Sequence, residues 1–424
     1  MIVATPPPRA TEKTILVGLE HDGVSRWDLE ESLNELRELA ATAGASVVDT
    51  VTQKLQHPTA PYYIGKGKAE EVGALCAEHG AGSIIFDDEL SPAQGRNLEN
   101  ITSKKILDRT QLILDIFARR ARSREGRLQI ELAQLQYLLP RLTRMWTHLS
   151  RQTGGIGTRG PGETQLEVDR RRVQERIARL QRDLEEVRKH RAIQREGRAR
   201  HQWPVVAIVG YTNAGKSSLL NRLTKAGVLA EDKLFATLDP TTRQFVLPNK
   251  LKVLFTDTVG FIRKLPTTVI ESFKATLEEL QSADLLVHVV DLSHPQWEEH
   301  IAATEEVIRE LEADGKHTLI VFNKIDRLAN AEGIDAALAR HAQSVAVSVK
   351  TGENLGQFVD ELQNQLSAWR LRQKFRIPQS ASLALAELHR AGHVVAIVYE
   401  GDDALVTAHI PPALEAKFAR YAVP

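Results

Sequence analysis

Residues 210–217, Gly210-Tyr211-Thr212-Asn213-Ala214-Gly215-Lys216-Ser217, fit the pattern G-x-x-x-x-G-K-[ST]. An apolar run, VVAIV at 205–209, leads into them, and residues 216–223 read as the first turns of a helix. A strand that feeds a glycine-rich loop at the amino end of a helix is built to hold phosphate. Backbone N–H groups converge on the anion, and the helix terminus adds partial positive charge. Lys216 would offset charge on the β and γ phosphates, and Ser217 would give its hydroxyl to Mg²⁺. This one feature commits the middle of the chain to alternating strands and helices around a parallel sheet.

Two further motifs follow in the order such a sheet requires. Asp257-Thr258-Val259-Gly260 comes directly after the apolar run 253–255. A carboxylate there would hold the metal through water, and the Gly260 amide would meet the terminal phosphate. Asn323-Lys324-Ile325-Asp326 ends the strand-like run 318–322. An aspartate at that place accepts from both N1–H and the 2-amino group of guanine, a donor pair that adenine lacks. Sites that hydrogen-bond a specific group reject analogues without it by about 10⁴-fold. Ser348-Val349-Lys350, after the run 344–347, would contact the base oxygen O6 through the backbone. The ligand predicted from these residues is GTP or GDP.

At 424 residues the chain is long enough for about three domains. With 42% hydrophobic and 26% charged residues it is neither disordered nor fibrous. A single cysteine, Cys76, excludes an internal disulfide framework and every multi-cysteine zinc motif. No run approaches the about 18 apolar residues of a membrane helix, and the proline-rich start lacks a signal-peptide core. The reading is therefore cytoplasmic, with no membrane span, and a monomer.

The formal net charge of zero hides a division. Residues 119–200 carry 21 Lys and Arg against 10 Asp and Glu, leaving 34 against 45 for the rest. Such asymmetry suits one part facing a polyanion, although a solvated, salt-bridged helix pair would look the same. Within this region Leu128, Leu132, Leu135, Leu139, Leu142, Trp146 and Leu149 form a heptad seam, which Pro140 should kink. Val173, Ile177, Leu180, Leu184 and Val187 form a second. The simplest geometry is an antiparallel two-helix arm with the loop 152–162, holding five glycines, at its tip. That loop is longer than a helix reversal needs, so it is expected to be functional.

Before the arm, strand-like runs at 14–19, 46–51, 83–86 and 105–107 alternate with helical stretches at 28–43, 68–79, 91–100 and 108–117. This predicts a small parallel α/β subdomain. The tail reads as a helix at 382–391, a hairpin of 393–399 with 405–409, and a last short helix. The predicted fold class is multidomain α/β. An N-terminal α/β subdomain spans 1–118 and a basic helical hairpin 119–202. A P-loop GTPase domain follows at 203–370, then a small α/β C-terminal domain at 371–424.

With these motifs the chain resembles the P-loop GTPases related to translation factors, and more closely the HflX family of ribosome-associated GTPases. The closer likeness rests on FATLDPTTR at 235–243, DTVGFI at 257–262, GGIGTRGPGETQLE at 154–167 and YIGKGK at 63–68. It implies that Phe235, Ala236, Thr237, Leu238 and Asp239 belong to a switch segment at the nucleotide. Thr237 would ligate Mg²⁺ once GTP is bound, with Thr241 and Thr242 as local rivals. Lys216, Thr237, Gly260 and Asn213 would be the catalytic residues. Asn213 either holds K⁺ against the phosphates or simply forms the turn. Phe261 stands where many small GTPases have a water-orienting glutamine, so unaided hydrolysis should be slow.

The resemblance further implies a factor that binds the large (50S) ribosomal subunit and its rRNA in the GTP form and splits stalled or idle ribosomes under stress. Arg151, Gly154, Gly155, Arg159, Arg170, Arg171 and Arg172 are the RNA-contact candidates. Three other readings stay open at this point. One is a GTPase acting on another RNA, and a second is a nucleotide-switched binding protein with little turnover. The third is an ATP-linked RNA-remodelling activity at Gly65-Lys66-Gly67-Lys68, a turn that is also an ordinary helix start.

Overall fold

A computed structural model describes residues 12–142, 165–199, 203–224, 234–235, 237–264, 266, 280–328, 330–369, 371–391, 393–410, 414 and 417–423. The loop expected at the arm's tip, with Arg151, Gly154, Gly155 and Arg159, lies outside them, as do Trp146, Leu149 and Ala236.

The N-terminal part is a parallel sheet of β1 (Glu12–Glu20), β2 (Ala45–Lys54), β3 (Ser83–Phe86) and β4 (Lys105–Asp108), in the order β2-β1-β3-β4. Strand β1 buries six consecutive residues, Thr14 to Leu19, as an interior parallel strand must when helices cover both faces. The crossovers are α1 (Arg26–Thr42), α2 (Lys66–His79) and α3 (Pro92–Thr102), and α4 (Arg109–Arg120) follows β4. Their ends follow local chemistry. Ser25 caps α1, Ser91 and Gln94 form a capping box with Pro92 in the first turn of α3, and Asp108 caps α4. Gly65 is the N-cap of α2, so the glycine-lysine turn is a helix start in this fold.

At the carboxyl ends of β3 and β4 the core turns polar. Asp87 and Arg109 are both buried and joined at 2.8 Å, Ser32 donates to Asp87 at 2.7 Å, and Glu35 pairs with Arg109. Burial alone would raise the Asp87 carboxyl, but Arg109 and Lys264 outweigh it and hold the group below its usual range. Tyr137 and Arg141 close on Asp108 in the same way, at 2.7 and 3.3 Å.

The arm begins with α5 (Arg124–Leu138) and returns with α6 (Gln165–Ala199). Leu128, Leu132 and Leu135 pack with Ile177, Leu180 and Leu184, and Arg176 forks onto Glu131 at 2.7 and 2.9 Å. Here one expectation is corrected. Pro140 does not kink a continuous helix: α5 stops at Leu138, and residues 139–142 form a turn. The proline ring and its missing N–H end the ladder just before it.

The central sheet has the order β10-β9-β8-β5-β7-β6. Its strands are β5 (Val205–Val209), β6 (Thr241–Val246), β7 (Lys252–Asp257), β8 (Leu285–Asp291), β9 (Thr318–Asn323) and β10 (Ser344–Ala346). All pairings are parallel except that of β6, which adds an antiparallel edge to β7. Helices α7 (Lys216–Thr224), α8 (Trp297–Glu310), α9 (Glu332–Arg340) and α10 (Leu355–Trp369) accompany it. The core joins Val206, Ile208, Phe255, Val287, Val289 and Val321 to Leu219, Phe358 and Leu362.

The C-terminal sheet is antiparallel, β12-β13-β11-β14, formed by β11 (Leu371–Pro378), β12 (His393–Glu400), β13 (Asp403–Ile410) and β14 (Ala422–Val423), with α11 (Ser382–Ala391) over it. Phe375, Val406, Ile410 and Phe418 fill its core. Strands β11 and β14 were not expected from sequence.

Contacts divide the chain into two compact units, Met1–Val187 with Glu231–Asp239 and Ile262–Thr276, and Arg188–Ala230 with Pro240–Phe261 and Leu277–Pro424. The segments ending at Asp239 and starting at Ile262 cluster with the N-terminal unit.

Candidate nucleotide-binding site

The phosphate loop leaves β5 at Gly210 with φ +139°, and a Cβ there would lie 2.2 Å from the Val289 carbonyl oxygen, so only glycine fits. Gly215, at φ +103°, is as constrained, with a Cβ position 2.2 Å from Asn323 Nδ2. Between them Asn213 is exposed with φ +60°, a conformation asparagine tolerates better than most residues. The geometry thus gives its turn-forming role a sufficient reason.

Lys216 is buried and donates from Nζ to the Tyr211 carbonyl at 2.6 Å. Burial, with a smaller contribution from Lys324, lowers its pKa to about 8, while Asp257 pulls the other way. The ammonium is held among backbone groups, where a phosphate oxygen would be a better partner. The Tyr211 ring stacks on His300 at 3.8 Å and 6°, a support for the loop that the sequence reading missed, since no local pattern links positions 211 and 300.

Ser217 Oγ donates to Asp257 Oδ2 at 2.7 Å, bringing together the two oxygens expected to serve the metal. Thr258 donates to the Ile208 carbonyl at 2.7 Å and ties the end of β7 to β5. The chain past Gly260 is stitched to the phosphate loop by Thr212 N–H to the Phe261 carbonyl at 2.7 Å and Phe261 N–H to the Gly210 carbonyl at 3.1 Å. A Cβ on Gly260 would meet Thr212 at 2.8 Å and Lys216 Nζ at 2.9 Å. The Phe261 side chain is buried and carries no group that could orient water.

At the base end, Asn323 acts as a brace. Its Nδ2 donates to the Ala214 carbonyl at 2.8 Å, and its Oδ1 accepts from Val349 N–H at 3.1 Å. Lys324, at φ +65°, pairs with Asp291 at 2.6 Å, a partner not expected from sequence. Ile325 is buried behind the loop. Asp326 Oδ1 accepts from Ser348 Oγ at 2.6 Å, and that hydroxyl holds the carboxyl below its usual range. Lys350 follows Val349 in the turn after β10.

Other expectations fare differently. Thr241 and Thr242 lie in β6, where Thr242 Oγ1 is 3.0 Å from Thr256 Oγ1. Phe235, Thr237, Leu238 and Asp239 belong to the N-terminal unit. Phe235 and Leu238 are buried, and Phe235 meets Phe117 edge to face at 4.6 Å. The Asp239 carboxylate accepts from Arg122 N–H at 2.9 Å, Ser123 N–H at 2.8 Å and the Ser123 hydroxyl. Arg170, Arg171 and Arg172 are exposed on α6, the last two in surface pairs at 3.9 and 3.7 Å.

The comparisons with known proteins bear on this geometry. A family model described as "GTP-binding GTPase N-terminal" matches residues 30–118, one described as "GTP-binding GTPase Middle Region" matches 120–198, and one described as "50S ribosome-binding GTPase" matches 205–324. The GTPase HflX of Lacrimispora saccharolytica is 47% identical over 410 residues, 96% of each chain. The chain belongs to the HflX family of GTPases. The HflX GTPases of Caldanaerobacter subterraneus (50% identical, 84% of this chain and 81% of the relative) and Escherichia coli (46%, 82% of each) agree. This HflX-family protein is a GTPase, and its ligand is guanine nucleotide.

The residues present also suit Mg²⁺. The oxygens of Ser217 and Asp257 stand together, the donors are all hard, and the hydroxyl of Thr212 is buried with no partner among the described residues. Among the described residues no helix is long and apolar enough to cross a membrane, and no cluster of His, Cys, Asp or Glu forms a separate metal site.

Proposed function

We propose that this GTPase binds the large ribosomal subunit in its GTP form, inserts its arm along rRNA, and separates stalled or idle ribosomes, especially under stress. The carrying observation is the division of labour on α6. Ile177, Leu180 and Leu184 are used by packing on α5, while Arg170, Arg171, Arg172, Arg179 and Arg182 face solvent. Surface pairs such as Arg171 with Glu175 are worth little, about 0–1 kcal/mol, so phosphates can replace the acidic partners at small cost. Backbone-dominated, salt-sensitive RNA binding is the natural use of such a surface.

At the nucleotide, Lys216 would meet the β and γ phosphates, Ser217 and Thr237 would hold Mg²⁺, and Asp257 would reach it through water. Bound there, the metal would neutralise charge that develops on the phosphates. Asn213 would hold K⁺ beside them. Asp326 would select guanine, with Ser348 setting its orientation. Because Phe261 offers no water-orienting group, turnover by the protein alone would be slow and the ribosome would supply the missing help.

The test is sedimentation with large subunits, comparing a non-hydrolysable GTP analogue with GDP, followed by sucrose-gradient profiles of intact ribosomes. Co-sedimentation with the analogue, and conversion of whole ribosomes to subunits, is the expected result. Equal binding in both nucleotide states would overturn it. Binding without splitting or stimulated turnover would leave a nucleotide-switched regulator instead.

A further inference from the structure

The phosphate loop buries a hydroxyl that no described residue uses. Thr212 is 7% exposed, and its Oγ1 has no hydrogen-bond partner among the described residues. Three other hydroxyls of the site end on protein groups: Ser217 on Asp257, Thr258 on the Ile208 carbonyl, and Ser348 on Asp326. The Thr212 backbone is committed as well, its N–H donating to the Phe261 carbonyl at 2.7 Å.

A buried hydroxyl without a partner destabilises the fold, because it has given up its water and gained nothing in return. Valine has nearly the same shape and would fill the same space without that cost. Packing alone therefore gives no reason for the oxygen, whereas a hydrogen-bond acceptor from outside the chain does.

The surroundings identify that acceptor. Gly260 presses on Thr212: a Cβ there would meet Thr212 Cγ2 at 2.8 Å, Thr212 Cα at 2.9 Å and Lys216 Nζ at 2.9 Å. Oγ1 hangs from the same Cβ as Cγ2 and so borders this space, which it shares with the buried Lys216 ammonium. Beside a buried cation the favoured guest is an anion, and a phosphate oxygen, which only accepts, matches the single donor of a hydroxyl. The loop also has a direction. Ala214 and Gly215 abut Asn323 at the base end, whereas Thr212 abuts Gly260. The phosphate within reach of Thr212 is therefore the terminal one.

We propose that the Thr212 hydroxyl donates to an oxygen of the γ-phosphate, and that through this contact the loop tells GTP from GDP. This rests on the reading of residues 210–217 as the nucleotide cradle. Phe261, whose ring is buried and has no polar group, brings only its backbone to this place, so the side-chain donor comes from the loop itself. A hydrogen bond to a charged acceptor is worth about ten- to hundredfold in affinity. Thr212→Val should weaken binding of a non-hydrolysable GTP analogue by that factor and leave GDP affinity unchanged. Thr212→Ala should do the same, and Thr212→Ser, which keeps the hydroxyl, should restore the wild-type ratio.

The measurement is fluorescence titration of the full-length chain with labelled GDP and labelled GTP analogue in Mg²⁺ buffer, without ribosomes. Urea unfolding of the nucleotide-free variants accompanies it, and the valine variant should be no less stable than wild type. An unchanged affinity for the analogue, or an equal loss of both nucleotides, would overturn the proposal. So would a raised Mg²⁺ requirement for both, which would assign the hydroxyl to the metal. A midpoint lowered by valine and kept by serine would show a partner within the chain and overturn it too. Lys216→Met in the same titration isolates the underlying reading: wild-type affinity for both nucleotides would refute the cradle at 210–217, whatever the Thr212 ratios.

Discussion

Ser217 and Asp257 share a hydrogen bond of 2.7 Å between Oγ and Oδ2, joining the first turn of α7 to the last residue of β7. Two hard oxygens at that separation are poised to turn towards one divalent cation. Ser217→Ala and Asp257→Asn should therefore lower GTP turnover about 10²–10³-fold, the effect of losing several kcal/mol of metal-borne charge stabilisation. A Mg²⁺ titration of steady-state turnover checks this. Variants that saturate at the wild-type Mg²⁺ concentration with the wild-type rate would show that these oxygens do not serve the metal.

Gly215 separates the phosphate loop from the brace residue by a contact no other side chain can fit. Its Cβ position is 2.2 Å from Asn323 Nδ2, and φ is +103°. Gly215→Ala must displace Asn323 from the Ala214 carbonyl and strain the loop, disturbing phosphate and base ends together. We expect GDP affinity to fall by at least about 10²-fold, the combined cost of strain and a broken buried hydrogen bond, while the circular dichroism spectrum stays native. Isothermal titration with GDP measures it, and near-native affinity would mean the loop can relax around the methyl group.

The placement of the motifs was legible in sequence because phosphate chemistry dictates residue types at fixed spacing, and Gly210, Lys216, Ser217, Asp257 and Asn323 stand at strand ends or loop turns of the kind the motifs require. What failed were relationships without local spacing. Asp239 and Ser123 are 116 positions apart, and the only hint was Gly126, a glycine in the first turn of a helix. Strand β11 alternates Arg372, Lys374 and Arg376 with buried Phe375 and Ile377, so it reads as a polar tail until its partner β13 is known. The leucine seam ran through Pro140 because periodicity carries no information about where a backbone ladder stops.

Asp326 is oriented by the Ser348 hydroxyl at 2.6 Å, which leaves its carboxylate ionised and fixed. Asp326→Asn replaces an acceptor with a donor opposite the guanine N1–H and 2-amino groups. GTP should lose about 10³-fold or more in kcat/KM, as sites built around a specific hydrogen bond do, while xanthosine triphosphate gains. Competition between the two nucleotides for the variant gives the answer. A retained preference for GTP would remove Asp326 from base selection.

His288, in the middle of β8 between β5 and β9, is buried, and this together with the charges of Lys216 and His341 pushes its pKa down to about 3. The folded chain therefore refuses a proton that the unfolded chain accepts below its ordinary value near 6.5. Stability is unaffected above that value and is lost as pH falls through the window from about 6.5 towards 3, by up to about 1.4 kcal/mol per pH unit from this group. His288→Val, which suits an interior strand, should flatten the dependence and spare about 2–3 kcal/mol between pH 6.5 and 4.5. Urea unfolding of the nucleotide-free protein at several pH values tests it. Equal slopes in wild type and variant would place the acid sensitivity in other groups, whereas a flatter variant would show that a neutral imidazole is part of how this sheet tolerates Lys216 nearby.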